Sequence, residues 1–426
     1  MANRTIAPGH SMARDPALST AHPAPTPAPV TTRRPAARAR RGRRVAAALG
    51  FVAGVMMAGM SALPRPGIPR AQWEIVDGGT GYGVVAERYQ ASPLHRWLMG
   101  DGYRDVWAAP VRAPIVDLRG FAGGLTPVER GGGRQTRGLR LRGADGGEYR
   151  FRSLDKDQGK ALSSLPRLLM GPFRQDQVSA LHPGAALVAS GLQDAAGVLH
   201  ATPRLGVMPT RPWLPEEFAG DFGALPGTLQ AHPGRGFRGA ERVVDTDALW
   251  NQLRRRPHDR VNVQAYLRAR LMDVYMGDWD RHEGQLRWAR FVRGDTGSWV
   301  IIPRDRDYAF SDYGGVIPGL ARRVDSKIVR FDTAYRDLRG LLVKARELDG
   351  RLLCGVSAAE WDAAAAELAN VLDDAAISAA IHRMPREWIA RSARLEATLR
   401  ARRDRLPHAA RRFRQHLHDG GCPARR

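Results

Sequence analysis

The stretch from Gly277 to Phe310, GDWDRHEGQLRWARFVRGDTGSWVIIPRDRDYAF, constrains this chain more than any other. It sets an acid, Asp280, in a polar loop directly after an amphipathic run, and an amide, Gln285, five residues further on. Two short strands are predicted next, LRWARFV and WVIIP. The RGDTGS between them carries Gly294 and Gly297, which suit a tight reversal. The second strand runs into a carboxylate pair, Asp305 and Asp307. IIPRDRDYAF thus flanks two carboxylates with apolar residues, and burying a carboxylate is costly unless a cation meets it. The bland alternative is that Asp280-Arg281-His282 and Arg304 to Asp307 are two solvated ion-pair knots, the ordinary fate of charged loops.

An acid, an amide at +5, a hairpin and a further acid is the order that resembles a protein kinase. There one Asp takes the acceptor hydroxyl's proton, an amide holds a metal ion, and a later Asp holds metal at the phosphates. On that pattern Asp280 is the catalytic base, and Gln285, Asp305 and Asp307 are metal ligands. Mg²⁺ or Mn²⁺ suits such a set, being a hard cation that takes one or two carboxylates plus phosphate oxygens and water. An Asp-x-Asp pair is shared with metal-dependent glycosyltransferases. Those should show a nucleotide-binding βαβ pattern before it, whereas a helix and a hairpin precede Asp305 here.

Upstream, Gly123 to Lys156 parses as three strands, LTPVER, TRGLRLRG and EYRFRSL, joined by GGGRQ and ADGG. Consecutive glycines at Gly131, Gly132 and Gly133 let backbone N–H groups approach a phosphate, although a plain hairpin explains them too. A kinase-like site also needs a cation on the third strand. The period of two puts Arg150, Arg152, Leu154 and Lys156 on one face, so Lys156 and then Arg152 are the candidates. The chain has four lysines (Lys156, Lys160, Lys327, Lys344) against a net charge of +23, nearly all of it arginine. Asp176 is the candidate acid partner of Lys156.

Residues 1–44 are rich in Pro, Ala, Ser and Thr and end in an arginine cluster; they read as a disordered basic tail. Residues 45–64, VAAALGFVAGVMMAGMSALP, carry no charge and are long enough to span a bilayer as an inner-membrane anchor. A cleaved signal segment is the competing reading. Either way the body is expected outside the cytoplasm, where Cys354 and Cys422 are free to pair, although neither matches a metal pattern. With no zinc-finger spacing or RNA-binding aromatic signature, nucleic acid is not an expected partner. Residues 65–210 are expected to form a β-rich N-lobe and residues 211–426 a helical C-lobe with the catalytic and metal loops. Within these, Ala201 to Pro215 reads as an edge strand and Glu216 to Thr246 as a long surface insertion. Helices are expected over TDALWNQLRRR, VNVQAYLRARLMDVYMGD and much of the chain after Ser357.

Gly277-Asp278-Trp279-Asp280-Arg281-His282 resembles the G-N-x-D-R-H loop of HipA-type and Golgi casein-kinase-type atypical kinases, and of CotH-type relatives. DRDYAF, from Asp305 to Phe310, is similar in register to the D-N-G-x-G-F metal loop of the Golgi group. Bacterial envelope proteins carrying GDWDRHE-x-Q and PRDRD-x-AF also look related. The resemblance implies an α+β, two-lobed protein-kinase-like domain after the membrane segment. It further implies transfer of phosphoryl from ATP or another nucleotide to a hydroxyl acceptor on protein, glycan or lipid. By it, His282 is a structural residue holding the loop. The departures are Asp278 for Asn and Gln285 for Asn or Glu. Another nucleotide-dependent transfer, or a catalytically inactive, membrane-tethered binding module of the same fold, are the alternatives.

Overall fold

A computed structural model describes residues 63–69, 73–77, 79–131, 135–161, 164–420 and 422. The basic tail, positions 45–62 of the expected membrane segment, and Gly132 and Gly133 lie outside the described residues. Among those described, no helix is long and apolar enough to cross a membrane. Ala58–Arg426 forms one compact unit of mixed α and β structure.

Alternation of apolar and polar residues builds a five-stranded sheet from β4 (Leu125–Gly131), β5 (Gly138–Gly143), β6 (Glu148–Ser153), β7 (Arg204–Val207) and β8 (Pro226–Ala231). Its order is β4-β5-β6-β8-β7, antiparallel throughout. Leu139, Leu141, Phe151 and Leu229 turn to one face and close a small core with Phe218 and Phe222 of the helix Glu216–Phe222. Arg140, Arg150, Arg152 and Gln230 stand on the other face. A smaller sheet, β1 (Glu74–Asp77), β2 (Thr80–Val84) and β3 (Pro110–Pro114), joins the β7 edge through a bridge from Ile115 to Val207.

The expected surface insertion after Pro215 is not one. It supplies the helix Glu216–Phe222 and then β8, which pairs with both β6 and β7, so the sheet continues to Ala231, past the expected lobe boundary at 210. Pro226 and Gly227 hid the strand, because Gly and Pro inside a run argue against one. Gly227 is there for space: a Cβ would lie 2.4 Å from the Arg152 carbonyl and from the Phe151 ring.

A second sheet, ordered β10-β12-β11-β9, holds the expected hairpin. Its strands are β9 (Arg242–Val244), β10 (Arg260–Val261), β11 (Leu286–Arg293) and β12 (Thr296–Pro303), with β11 and β12 in unbroken register. The helix Val263–Tyr275 starts at Asn262, whose side chain accepts from the Ala265 N–H at 2.9 Å. Helices after Ser357 include Ala358–Val371, Asp374–Ile381 and the long Ala393–Asp419, whose Leu395, Leu399, Leu406 and Phe413 enter the large core. The last helix is therefore anchored by an apolar stripe, with its basic residues largely on the opposite side. Cys354 and Cys422 are joined by a disulfide.

Candidate active site

Every expected site residue that the structure describes belongs to one region between the five-stranded sheet and the hairpin. A cleft of about 790 Å³ there is lined by Gly131, Arg152, Lys156, Asp280, Gln285 and Asp305 among others. Asp307 sits just behind it, 3.3 Å from the Lys156 amine. Gly131 ends β4 at the cleft edge.

The loop carrying Asp280 rests on a buried polar chain. Arg270, on the helix Val263–Tyr275, grips Asp349 with two bonds of 2.8 and 3.0 Å and reaches Asp273 at 2.6 Å. Arg306 joins Asp273 to Asp278, the latter at 3.0 Å, and Asp278 lies 3.2 Å from Arg281. Three arginines and three aspartates thus alternate through the interior, each buried. Such pairing is what makes buried charge tolerable. Burial outweighs the two neighbouring arginines at Asp278 and pushes its carboxyl up, while at Asp273 Arg306 and Arg270 win against burial and hold it down. Gly277 starts the loop at φ +66°, where a Cβ would also press 2.7 Å into the Phe331 ring, so glycine is required twice over.

Arg281, rather than His282, ties the loop down. Its guanidinium donates to the carbonyls of Arg304 and Asp305 at 2.7 and 2.6 Å, fixing the Asp280 loop against the Asp305 segment. The His282 ring is exposed and lines the cleft, so the expected structural role falls to its neighbour. Asp305 itself holds φ +57°, a left-handed conformation that costs most side chains about 1–2 kcal/mol and that Asp tolerates better than most. Five residues on, Phe310 is fully buried against Phe331.

The solvated-knot alternative fails at both acids. Asp280 is buried, ion-paired to Lys344 and 3.5 Å from the Gln285 amide. Asp305 faces Arg152 at 2.8 Å, and Arg152 reaches Asp307 at 3.4 Å. Burial works against the charge on Asp305, yet Arg152 and Lys156 hold its carboxyl far below the usual range. Lys156 is likewise buried but kept charged, mainly by Asp307, with its amine 4.2 Å above the Tyr308 ring. Asp176 is not its partner: that carboxylate takes two bonds from Arg104, at 2.9 and 2.7 Å, and one from His95 at 3.0 Å. Lys156 lies just past the end of β6, where its chain turns toward the metal loop, and so reaches an acid from the hairpin instead.

Lys344 is the residue that sequence reasoning missed. It lies 64 residues beyond Asp280, at the 3-10 turn Val343–Ala345, with its amine also 4.5 Å above the Trp279 ring. A usable signal existed: in a chain that uses arginine almost everywhere, a lysine marks a place for a compact, flexible charge.

No group of three His, Cys, Asp or Glu side chains among the described residues is arranged to hold a metal ion. Asp305 Oδ1 is nonetheless buried, and although it lies 2.8 Å from Arg152 it takes no well-aligned hydrogen bond; Asp305 and Gln285 both line the cleft. One carboxylate and one amide fit a Mg²⁺ or Mn²⁺ that takes its other ligands from phosphate and water.

The outer wall of the cleft is different. Arg150, Arg287 and Arg304 line it together with Arg140 and Gln230. Burial, then Arg287 and Arg150, push the Arg304 guanidinium down to about 10. Burial and the same arginines push His232 down to about 3.

No protein-family model matches the chain, and no curated protein matches it. Among solved structures, the Helicobacter pylori proinflammatory kinase CtkA is similar at 12% identity, over 69% of this chain and 96% of that one, with a TM-score of 0.36. At that score the two backbones superpose only loosely, and the case for a function rests on this chain's own cleft.

Proposed function

We propose that the chain is a kinase-like phosphotransferase, moving phosphoryl from a nucleotide to a hydroxyl acceptor. One observation carries the reading: residues from two sheets meet in a single cleft in the arrangement phosphoryl transfer needs. From the hairpin side come Asp280, Gln285 and Asp305; from the third strand of the other sheet and its exit come Arg152 and Lys156. A transferring phosphoryl group is stabilised mainly by positioning and positive charge. Asp305 with Gln285 would hold the divalent cation, which supplies charge neutralisation at the phosphate oxygens. Asp280 accepts the acceptor hydroxyl's proton, Lys344 and Gln285 orient it, and Arg152 and Lys156 bind phosphate oxygens. The body works outside the cytoplasm, held or released at residues 45–64, and the Cys354–Cys422 disulfide supports that compartment.

A second reading has a specific observation behind it. Asp280 and Asp305 each already face a cation of the protein's own, Lys344 and Arg152. A binding module without catalysis would leave them so. Thermal denaturation of the full chain separates the two, with ATP, GTP or a UDP-sugar, each with and without Mg²⁺ or Mn²⁺. A ligand at a hundredfold excess over its Kd stabilises by about 2.7 kcal/mol. The expected result is a metal-dependent shift that Asp305→Ala abolishes, followed by nucleotide turnover that Asp280→Asn removes. Binding without turnover under every condition favours the module, and no shift with any nucleotide sinks the phosphotransfer reading.

A further inference from the structure

The cleft is an unusual container for a nucleotide. Small-molecule sites are normally lined by apolar and aromatic side chains, with a few polar groups for orientation. Here the apolar residues on the sheet wall, Leu139 and Phe151, have their side chains in the small core behind it. The two aromatic rings at the mouth are already covered. Trp279 and Tyr308 stand edge to face at 4.9 Å, with Lys344 over the first and Lys156 over the second. No free apolar slab remains among the described lining residues for a base to lie on.

What the wall offers instead is positive charge without carboxylate partners, although Arg287 does donate to the Leu286 carbonyl at 2.7 Å. Arg150 lies two residues before Arg152 on the same face of β6, roughly 7 Å further along the strand. Arg304 precedes Asp305, and Arg287 follows Gln285 by two. These three arginines therefore flank the candidate transfer centre on one side, drawn from both sheets. None forms an ion pair with a carboxylate among the described residues, and the Nε of Arg150 is buried with no hydrogen-bond partner. Arg150 sits directly opposite Arg140 in the β5–β6 pairing and opposite Gln230 in the β6–β8 pairing. Like charges facing each other across a ladder are destabilising. Arg140 has Glu129 at 2.7 Å, whereas Arg150 has nothing comparable. A protein that pairs almost every other interior arginine leaves these three open to the cleft.

We infer that Arg150, Arg287 and Arg304, with Gln230 and Arg140 at the edge, form a second phosphate-binding zone, so that the cleft holds phosphate groups at both of its ends. Planar guanidinium forks match phosphate geometry with two bonds each, and Gln230 adds a neutral donor. The inference builds on the proposed phosphotransfer centre, because it assigns the other half of that cleft. The phosphate has two possible sources: the donor's own polyphosphate chain, or a separate phosphorylated acceptor.

Isothermal titration calorimetry on the full chain tests this with inorganic tripolyphosphate, ATP, adenosine and inorganic phosphate, in the absence of metal. Wild type is expected to bind tripolyphosphate and not adenosine. Replacing Arg150→Gln or Arg304→Gln should weaken tripolyphosphate about tenfold or more for each charge removed, while circular dichroism and urea midpoints stay at the wild-type value. Arg287→Gln, on the other sheet, repeats the test independently. Inorganic phosphate that competes with ATP assigns the zone to the donor chain; phosphate that binds alongside ATP assigns it to the acceptor. Unchanged tripolyphosphate affinity in all three variants, or adenosine binding that they leave intact, overturns the inference and leaves the transfer centre standing. Arginine-dependent tripolyphosphate binding in a chain that shows no metal-dependent response to any nucleotide keeps the inference and overturns the centre.

Discussion

Arg304 and Arg306 are two residues apart and live in opposite worlds. Arg306 belongs with Arg270 and Arg281 to the buried chain beneath the Asp280 loop, where each cation touches an aspartate. Arg304 belongs with Arg150 and Arg287 to the cleft wall, where each cation has other cations for neighbours. The first set is complete within the folded chain: charge is balanced locally, and the product is a rigid loop. The second set costs stability through mutual repulsion and gains nothing until an anion arrives. The lesson is that arginine count says little about partners; the inventory of carboxylates around each guanidinium says a great deal.

The two sets should part most visibly at Arg306. Arg306→Leu leaves Asp273 and Asp278 buried without their shared cation, and breaking a buried pair in this way costs about 3–5 kcal/mol. Urea denaturation followed by tryptophan fluorescence should register that loss, and a cost under about 1 kcal/mol would mean the chain is not holding the loop. On the wall, Arg150→Leu or Arg304→Leu should change stability by about 0.5 kcal/mol or less, in either direction, as expected of groups with no partner to lose. A penalty near that of Arg306→Leu would erase the distinction between the two sets.

The smallest effect is the most diagnostic. His232 is held down to about 3 by burial and by Arg150, Arg304, Arg287 and Arg140, against 6.5 in the unfolded chain. Between those values the unfolded state binds a proton that the folded state refuses, so this contribution to stability is lost as pH falls from about 6.5 toward 3. NMR titration of the ring should show it neutral down to about pH 5 in wild type. Arg150→Leu, or tripolyphosphate bound at the wall, should move its midpoint upward. A midpoint near the ordinary histidine value of about 6.5 in wild type would mean that the arginines are not felt there.

The hairpin was legible because its two strands pair in sequence and carry β-branched and aromatic residues on both sides of a glycine turn. The acid, amide and second acid were legible for a related reason: the hairpin's register brings its two ends together, so Gln285 and Arg304 are hydrogen-bonded neighbours. The strands β4 to β6 followed from alternation and turn glycines. Contacts between distant segments were not legible. Nothing local to Asp280 points to Lys344, and nothing local to Asp176 says that it will meet Arg104 and His95 rather than Lys156. β8 was hidden because its glycine satisfies a tertiary demand, close approach to Arg152 and Phe151, that overrides strand propensity. His282 was misassigned because a motif fixes which residues are near the loop but not which of two adjacent side chains turns inward.

The disulfide between Cys354 and Cys422 has a practical corollary. It links two cysteines 68 positions apart and closes a loop that takes in the whole of the helices Ala358–Val371, Asp374–Ile381 and Ala393–Asp419. A protease that nicks one of the connections inside that loop, such as the exposed turn at Asp373, does not release a fragment. The nicked molecule travels as a single species on a denaturing gel and falls into two pieces only when a thiol reductant is added.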